Sequence, residues 1–358
     1  NYTVNIRIRT ADGSKIELPE IINSISEESI DPYISYRRIN QAIVYWDKMA
    51  IVQRSLENCN EYDIINNQYS NNNCVHCHTF QDRNPETFMV HFRKSPVGTL
   101  IKTKDTTLWL STKTSYSLSA FVYPSWHPTK PIIAFSTNQI HQNIYGSGNR
   151  YNHVRDDASD IVLYVLSTNK VFTNAGIATL DLENLPAWSP DGKYLYFVRC
   201  KHKYKFLPDS VEKYDLMRIP IDTDSESFGQ SELLISSDSI HKSVSWPQVS
   251  PDGKYLVFCV AKQGYFTINN PSSDLYIMDL ENLSFHELPV NSELTESFPS
   301  WSGNSRWLMF ASKRIDGRFT IPFLMYRDSL GKVSKLFALP MKDPKEYMAR
   351  LTNMNRPV

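Results

Sequence analysis

The chain has 358 residues, of which 41% are hydrophobic and 21% are charged. These are ordinary values for a soluble globular protein, and they exclude wholesale disorder and a fibrous class. Thirty-eight basic residues balance thirty-eight acidic ones, so no global field draws the chain to nucleic acid, and the five cysteines do not have the spacing of a disulfide framework.

The first 70 residues predict strands, among them NYTVNIRIRT at 1–10 and WDKMAIVQRSL at 46–56. We expect them to close or cap the rest of the fold. The sequence begins at Asn1 without a methionine, which favours a mature or trimmed form of a secreted protein or lipoprotein. A lipid anchor upstream of Asn1 is the one membrane attachment that we expect, because the apolar runs are too short to span a bilayer.

Residues 71–87 contain the motif that carries most chemistry. Cys74 and Cys77 are three positions apart, and His78 follows directly. A c-type haem needs two thiols that add to its vinyl groups and an imidazole directly after the second thiol, so the motif predicts covalent haem c with His78 as the proximal iron ligand. The polar flanks predict that this segment lies between strands, with a short helical turn.

Other interpretations of the cysteines remain open at this point. Zinc accepts Cys74, Cys77 and either His76 or His78 as ligands, although the sequence offers no second paired motif for the fourth position. A disulfide between the two cysteines is a further alternative. A redox dithiol requires a βαβ context that the sequence lacks.

A low-spin haem needs a second axial ligand, and the nearby candidates are Met89 and His91. In FMVHFR, strand alternation places these two residues on one face and their neighbours on the other. Their structural alternatives are a core methionine and a hydrogen-bonded histidine at a blade edge.

One phrase occurs four times in the sequence, at intervals of 52 to 62 residues. The copies are PSWHPTKPIIAFS from Pro124, PAWSPDGKYLYFV from Pro186, PQVSPDGKYLVFC from Pro247 and PSWSGNSRWLMFA from Pro299. Each predicts a strand, a tight turn and a second strand, because Pro-Asp-Gly is strong turn chemistry and the aromatic and β-branched run after it favours a buried strand.

Repeated units of about four strands predict an all-β β-propeller, most simply with six blades and with the tryptophan of each phrase between neighbouring blades. We assign blades to 88–340, with a degenerate blade from Met89, and expect the two chain ends to close the ring. The tail 341–358 predicts one helical turn within DPKEYMARL.

Two polar segments are candidates for contacts at the blade ends or in the channel. The long stretch 136–160 offers His141, Tyr145, His153 and Arg155, and its Asp156, Asp157 and Asp160 are expected to be solvated. Lys313 and Arg314 could face the channel and attract an anion, or form an exposed charge group with Asp316. No nucleophile elbow, zinc-protease motif or phosphate-binding loop is present, so an enzyme is the weaker expectation.

The PxWSPDGKYLxF phrase resembles the TolB-type propeller repeat of periplasmic bacterial proteins. Together with DPYISYRRI, CVHCHTF, VHFR and FASKRIDGR, it resembles a group of secreted TolB-like propellers that carry a single cytochrome-c-type motif. That resemblance implies covalent haem c, favours His91 over Met89 as distal ligand, and implies a periplasmic or cell-surface electron-transfer protein with a redox or docking partner. The alternative function is a non-catalytic propeller that binds a protein or glycan, with structural cysteines or zinc.

Overall fold

The structure is a computed structural model, and it describes residues 1–40, 48–93, 97–114, 117–143, 151–201, 212–349 and 351–358. The chain forms two compact units, Asn1–Ile30 and Asp31–Val358. No helix of the described residues is long and apolar enough to cross a membrane.

The first unit consists of two small antiparallel pairs. Strand β1 (Tyr2–Val4) pairs with β4 (Ile21–Asn23), and between them β2 (Arg7–Arg9) pairs with β3 (Lys15–Glu17). Almost all of these strand residues are exposed. The segment NYTVNIRIRT therefore forms part of this unit and of none of the blades, whereas WDKMAIVQRSL contains a blade strand, Ala50–Ser55.

The second unit is a six-bladed β-propeller, as the repeats predicted. The strands follow in chain order. Blade 1 takes β5 (Tyr33–Asn40), β6 (Ala50–Ser55) and β7 (Glu61–Asn66); blade 2 is β8 (Val75–Gln81), β9 (Asn84–Phe92), β10 (Gly98–Lys102) and β11 (Thr107–Leu110); blade 3 is β12 (Phe121–Trp126), β13 (Ile132–Asn143), β14 (His153–Val165) and β15 (Lys170–Phe172).

The remaining blades continue the same order. Blade 4 is β16 (Leu182–Trp188), β17 (Tyr194–Cys200), β18 (Tyr214–Asp222), β19 (Ser227–Phe228) and β20 (Glu232–Ile235); blade 5 is β21 (Ser243–Val249), β22 (Tyr255–Ala261), β23 (Asp274–Asp279) and β24 (Phe285–Glu287); blade 6 is β25 (Glu296–Trp301), β26 (Trp307–Ser312), β27 (Ile321–Tyr326) and β28 (Phe337–Ala338). Short helices lie at Ser237–Ile240 (α1), Glu346–Ala349 (α2), Asn67–Ser70 and Thr267–Asn269.

The ring closes between the two ends of the propeller unit. Strand β29 (Thr352–Asn355) pairs antiparallel with β5 and becomes the innermost strand of blade 1. Beyond it, Val358 and Ser35 exchange backbone hydrogen bonds. The expected closure and the helical turn in the tail are both found, and the tail also supplies a blade strand.

The core lies between the blades. Trp188 on β16 packs with Ile132, Ile161 and Leu163 of blade 3, and Trp126 on β12 packs with Met89 and Ile101 of blade 2. These tryptophans, together with Trp301, are 6 to 7% exposed, as expected for wedges between blades. The apolar runs of the repeated phrase are therefore what joins one blade to the next.

Candidate functional site

A β-bulge interrupts the innermost strand of every blade at the same place. Two residues of the inner strand lie opposite one residue of the neighbouring strand, and in blade 1 the same arrangement lies between the Asn355–Arg37 pair and the Val358–Ser35 pair. The bulged pairs are His76-Cys77, Tyr123-Pro124, Leu185-Pro186, Trp246-Pro247, Phe298-Pro299 and Arg356-Pro357.

The first residues of these pairs fill the centre of the ring, and we call them the channel plug: His76, Tyr123, Leu185, Trp246, Phe298 and Arg356. Five of them have positive φ, between 48° and 54°. Such a φ is unfavourable for a non-glycine residue, so packing at the axis must stabilise it.

Contacts across the axis show where the plug side chains point. The Tyr123 ring lies 5.6 Å from the Trp246 ring, although blades 3 and 5 are not neighbours. The Arg356 guanidinium of blade 1 lies 5.5 Å from the same indole, and His76 is 6.4 Å from Tyr123. On the side of the Pro-Asp-Gly turns, the channel widens into a cavity of about 150 Å³.

The cysteine motif is part of this architecture. Val75–Gln81 is the inner strand of blade 2, and not the segment between strands with a helical turn that the polar flanks suggested. Cys77 occupies the bulge position at which the other five blades carry proline. The motif therefore lies at the channel plug because it is the blade 2 copy of the repeated phrase, with Cys77 in place of proline.

The two ends of the motif face different blades. His78 lies opposite Val90 in the ladder, on the face whose core includes Cys74, Val90 and Ile39 of blade 1. The Cys77 thiol faces the other way, because it accepts a hydrogen bond from the Tyr123 amide of blade 3 at 3.4 Å. Both cysteines are buried, and neither forms a disulfide with a described residue.

His78 is a buried side chain at the start of blade 2. It is 1% exposed, and neither of its ring nitrogens has a hydrogen-bond partner among the residues that the structure describes. Burial, followed by the charges of Arg356 and Arg37, holds its pKa well below the usual range, so the ring is neutral. The nearest aromatic neighbour is Phe80, whose ring lies 6.3 Å away, edge to face.

The donor set fits a c-type haem in its chemistry. Two thiols outside any disulfide and a neutral imidazole with no hydrogen-bond partner in the described part of the chain are the groups that haem c requires. The strand conformation does not present them together, since Cys77 and His78 face opposite sides of blade 2. Haem attachment therefore requires residues 74–78 to leave their pairing with β9.

The candidates for the distal position lie on the other face of the blade from His78. Met89 is fully buried in the core shared with blade 3. His91 is 1% exposed, and its Nδ1 lies 3.0 Å from the Thr99 hydroxyl; burial lowers its pKa to about 4. The register therefore separates both residues from His78.

A buried carboxyl group lies beside the plug, where the sequence suggested a solvated cluster. Asp156 is 1% exposed, and it accepts hydrogen bonds from Asn138 and Asn184 at 2.6 Å and from the Tyr265 hydroxyl at 2.9 Å. Burial raises its pKa to about 7. These bonds join blades 3, 4 and 5, whereas Asp157 next to it is exposed.

The other loop candidates are dispersed. His141 is exposed on β13 opposite Arg155, and Arg155 lies 3.8 Å from Asp157. His153 begins β14 and packs near Gly264. Tyr145 lies outside the described residues.

Lys313 and Arg314 are held by structural contacts. Arg314 pairs with the fully buried Glu296 at 2.7 Å. The Lys313 amine donates to Asn269 at 3.0 Å, and burial lowers its pKa to about 8. Arg314 therefore neutralises a buried carboxylate of blade 6, and does not form the expected group with Asp316.

Sequence reasoning missed Arg356, Trp246 and Asp156. The signal for Arg356 was present in NRPV at the end of the sequence, a short copy of the residue-proline pair that opens each repeat. Asp156 gave no such signal, because its burial depends on loops from two other blades. Among the described residues, no group of three or more His, Cys, Asp or Glu side chains is arranged to hold a metal ion.

Comparisons with known proteins bear on the fold. No family model matches the sequence, and no curated protein matches it. Solved structures similar to this chain include a putative TolB from Agrobacterium tumefaciens (14% identity, TM-score 0.47, 87% of this chain and 90% of that one) and an oligogalacturonate lyase in complex with manganese (11%, 0.49, 88% and 75%).

A puromycin-hydrolysing peptidase from Mycobacterium tuberculosis is also similar, at 10% identity and a TM-score of 0.50. The match covers 84% of this chain and 46% of the peptidase. At this identity the likeness is one of fold alone.

Proposed function

We propose that the protein is an extracytoplasmic monohaem c-type cytochrome on a TolB-like propeller. A complete CxxCH sequence at the channel plug carries this proposal, because neither cysteine forms a disulfide and the buried His78 ring has no hydrogen-bond partner among the described residues. Leaving such a group unsatisfied costs about 1 to 3 kcal/mol, and iron coordination would satisfy one of its nitrogens.

The chain's own residues have distinct roles in this proposal. Cys74 and Cys77 would hold the porphyrin by thioether bonds, and His78 would bind the iron. Haem, when bound, supplies a one-electron iron couple. The propeller would exclude water from one side of the group and would offer a rigid docking surface to a redox partner protein.

The proposed location follows from the same chemistry. Covalent attachment of haem to CxxCH takes place outside the cytoplasm, so we expect a secretory or lipoprotein signal in the precursor. A precursor sequence without such a signal would argue against the cytochrome.

The test is haem retention. Protein made with the haem-attachment machinery should keep its haem through acid-acetone extraction and should give a pyridine haemochrome spectrum of the two-thioether type. His78→Ala should retain the porphyrin and change the spectrum of the iron, whereas Cys74→Ala with Cys77→Ala should lose the haem. A protein without a Soret band after correct maturation would contradict the proposal.

A second candidate is a non-catalytic propeller module that binds a protein or glycan and has structural cysteines. The observation in its favour is that Cys77 takes the proline position of the bulge and faces away from His78. In that case, replacing both cysteines should leave ligand binding nearly unchanged and should lower stability, because Cys74 packs in the core between blades 1 and 2 and Cys77 accepts a hydrogen bond from Tyr123. The same pair of variants therefore distinguishes the two functions.

A further inference from the structure

We propose that Arg37, Arg93 and Arg356 form an oxyanion-binding site beside the channel plug, which takes a ligand bearing a carboxylate or phosphate group. The contacts that place the three arginines do not involve haem. The inference rests on the proposed function only if the anion is a haem propionate, which is one of two possible sources.

Arg356 places a guanidinium at the axis of the ring. Its backbone is held at a φ of +52° in the bulge of blade 1, and its side chain reaches across to Trp246 of blade 5 and, at 3.4 Å, to the Pro124 carbonyl oxygen of blade 3. This backbone contact is the one hydrogen bond of the guanidinium to a described residue, so most of its five N–H donors remain available to a ligand.

Arg37 differs from its neighbour Arg38 on the same strand. Arg38 pairs with Asp63 at 2.8 Å and with Glu61 at 3.6 Å. Arg37 lies opposite Asn355 in the ladder, and its buried Nε has no hydrogen-bond partner. Burial lowers the Arg37 pKa, which shows that the site disfavours an uncompensated charge.

Arg93 completes the group from blade 2. It directly follows β9, and its amide donates to the Cys74 carbonyl oxygen at 3.1 Å. Ile39, two residues after Arg37 and on the same face of β5, packs with Cys74 in the core between blades 1 and 2. The backbones of Arg37, Arg93 and Arg356 therefore lie beside the bulges of blades 1 and 2, which carry the plug residues Arg356 and His76.

These three charges lack a counter-charge in the described part of the chain. Among the described residues, none of the three arginines forms an ion pair, whereas arginines elsewhere in the ring pair with Asp or Glu, as Arg54, Arg218 and Arg314 do. The nearby Asp156 carboxyl makes its bonds to Asn138, Asn184 and Tyr265. Three partly buried arginines with no carboxylate partner among the described residues form a site suited to an oxyanion.

The ligand could come from two sources with the same chemistry. A haem attached at Cys74 and Cys77 would carry two propionate carboxylates, which are one source of such an anion. A diffusible oxyanion would bind in the same way without haem. The arginine requirement is common to both, so it can be tested without haem.

The test uses inorganic phosphate and the full chain made in the cytoplasm, where no haem is attached. Phosphate binding is measured by titration calorimetry at constant ionic strength, with chloride as the balancing ion. We expect Arg37→Gln, Arg93→Gln and Arg356→Gln each to weaken binding by roughly tenfold or more, since each removes charge-assisted hydrogen bonds. Arg38→Gln is the matched control and should bind as the wild type does.

The outcomes are distinct. If the haem-free wild type does not bind phosphate, or if all three variants bind as tightly as it does, the oxyanion site is wrong. The wild-type titration decides this even if a variant fails to fold.

If phosphate binding depends on the arginines, the titration is repeated on the haem-loaded protein. Loss of phosphate binding there identifies the propionates as the ligand, and continued binding identifies a diffusible oxyanion. A chain that never acquires haem would refute the cytochrome and leave the calorimetry unaffected.

Discussion

At the scale of single residues, the two histidines near the cysteine motif have opposite environments. His78 is buried with no hydrogen-bond partner, whereas His91 is buried and bonded to Thr99. Both rings are held neutral by burial. The difference in hydrogen bonding makes them a matched pair for substitution.

We predict that His78→Leu stabilises the haem-free chain by about 1 kcal/mol, because it removes an unsatisfied polar group from an apolar cluster. His91→Leu should destabilise it by about 1 to 3 kcal/mol, because the fully buried Thr99 hydroxyl loses its partner. Urea unfolding of both variants measures these free energies. A large loss of stability in His78→Leu would show that His78 has a structural partner.

The Asp156 carboxyl predicts a pH dependence. Its pKa is raised from 3.8 to about 7 by burial, so the folded state holds a proton that the unfolded state releases above pH 4. Stability should therefore be highest at low pH and should fall as the pH rises through 7, by roughly 2 to 4 kcal/mol from this group. Glu183, also raised to about 7 by burial, adds to the same trend.

Asp156→Asn should remove the Asp156 part of this dependence. The amide oxygen can accept from Asn138 and Asn184, and the amide nitrogen can donate to the Tyr265 oxygen. We expect the variant to be less pH-dependent between pH 5 and 8 and more stable than the wild type at pH 8, measured by thermal unfolding. An unchanged pH profile would mean that Asp156 is ionised throughout this range.

At the scale of elements, the bulged inner strand is the unit that repeats. The bulge places its first residue at the axis, and the tryptophan two positions after the proline then lies between blades, as Trp126, Trp188 and Trp301 do. This arrangement explains why the phrase contains both a proline and an aromatic residue at fixed spacing.

We predict that Trp188→Ala costs about 3 to 5 kcal/mol of unfolding free energy, because it leaves a cavity between blades 3 and 4. Trp109→Ala is the control: this side chain is 45% exposed on the outermost strand of blade 2, and its loss should cost much less. Denaturant unfolding of both variants measures the difference. Equal costs would contradict the wedge role.

Sequence could predict the four blades that keep the whole phrase, whereas it predicted blade 2 only as a degenerate blade from Met89 and blade 1 only as strands that close the ring. Blade 2 replaces proline by Cys77, so its inner strand was interpreted as a cofactor segment, and NRPV is too short to identify by pattern. The plug residues could not be predicted, because their meeting at the axis depends on the closed ring. The CxxCH motif itself is evident in the sequence. The side of blade 2 on which Cys77 and His78 each lie depends on the position of the β-bulge, which the sequence does not show.

At the scale of the whole molecule, closure by β29 joins the end of the sequence to blade 1. Met354 on this strand is fully buried. Arg356 directly follows the strand and completes the channel plug. The unit Asn1–Ile30 is separate from the ring.

Removal of 351–358 should therefore abolish cooperative unfolding of the ring, because blade 1 loses its inner strand and exposes the edge of β5. Removal of 1–30 is the control and should leave the propeller transition nearly unchanged. Differential scanning calorimetry distinguishes them. A truncated chain without 351–358 that unfolds at the wild-type temperature would contradict the closure.

The most direct test of the cytochrome is made on the peptide that contains the motif. The protein is purified after maturation in its own source and digested, and the peptide spanning Cys74 to His78 is identified by mass spectrometry. We predict a peptide that carries one haem through two thioether bonds. Recovery of the same peptide without haem, with both cysteines open to alkylation or joined to each other, would contradict the proposal.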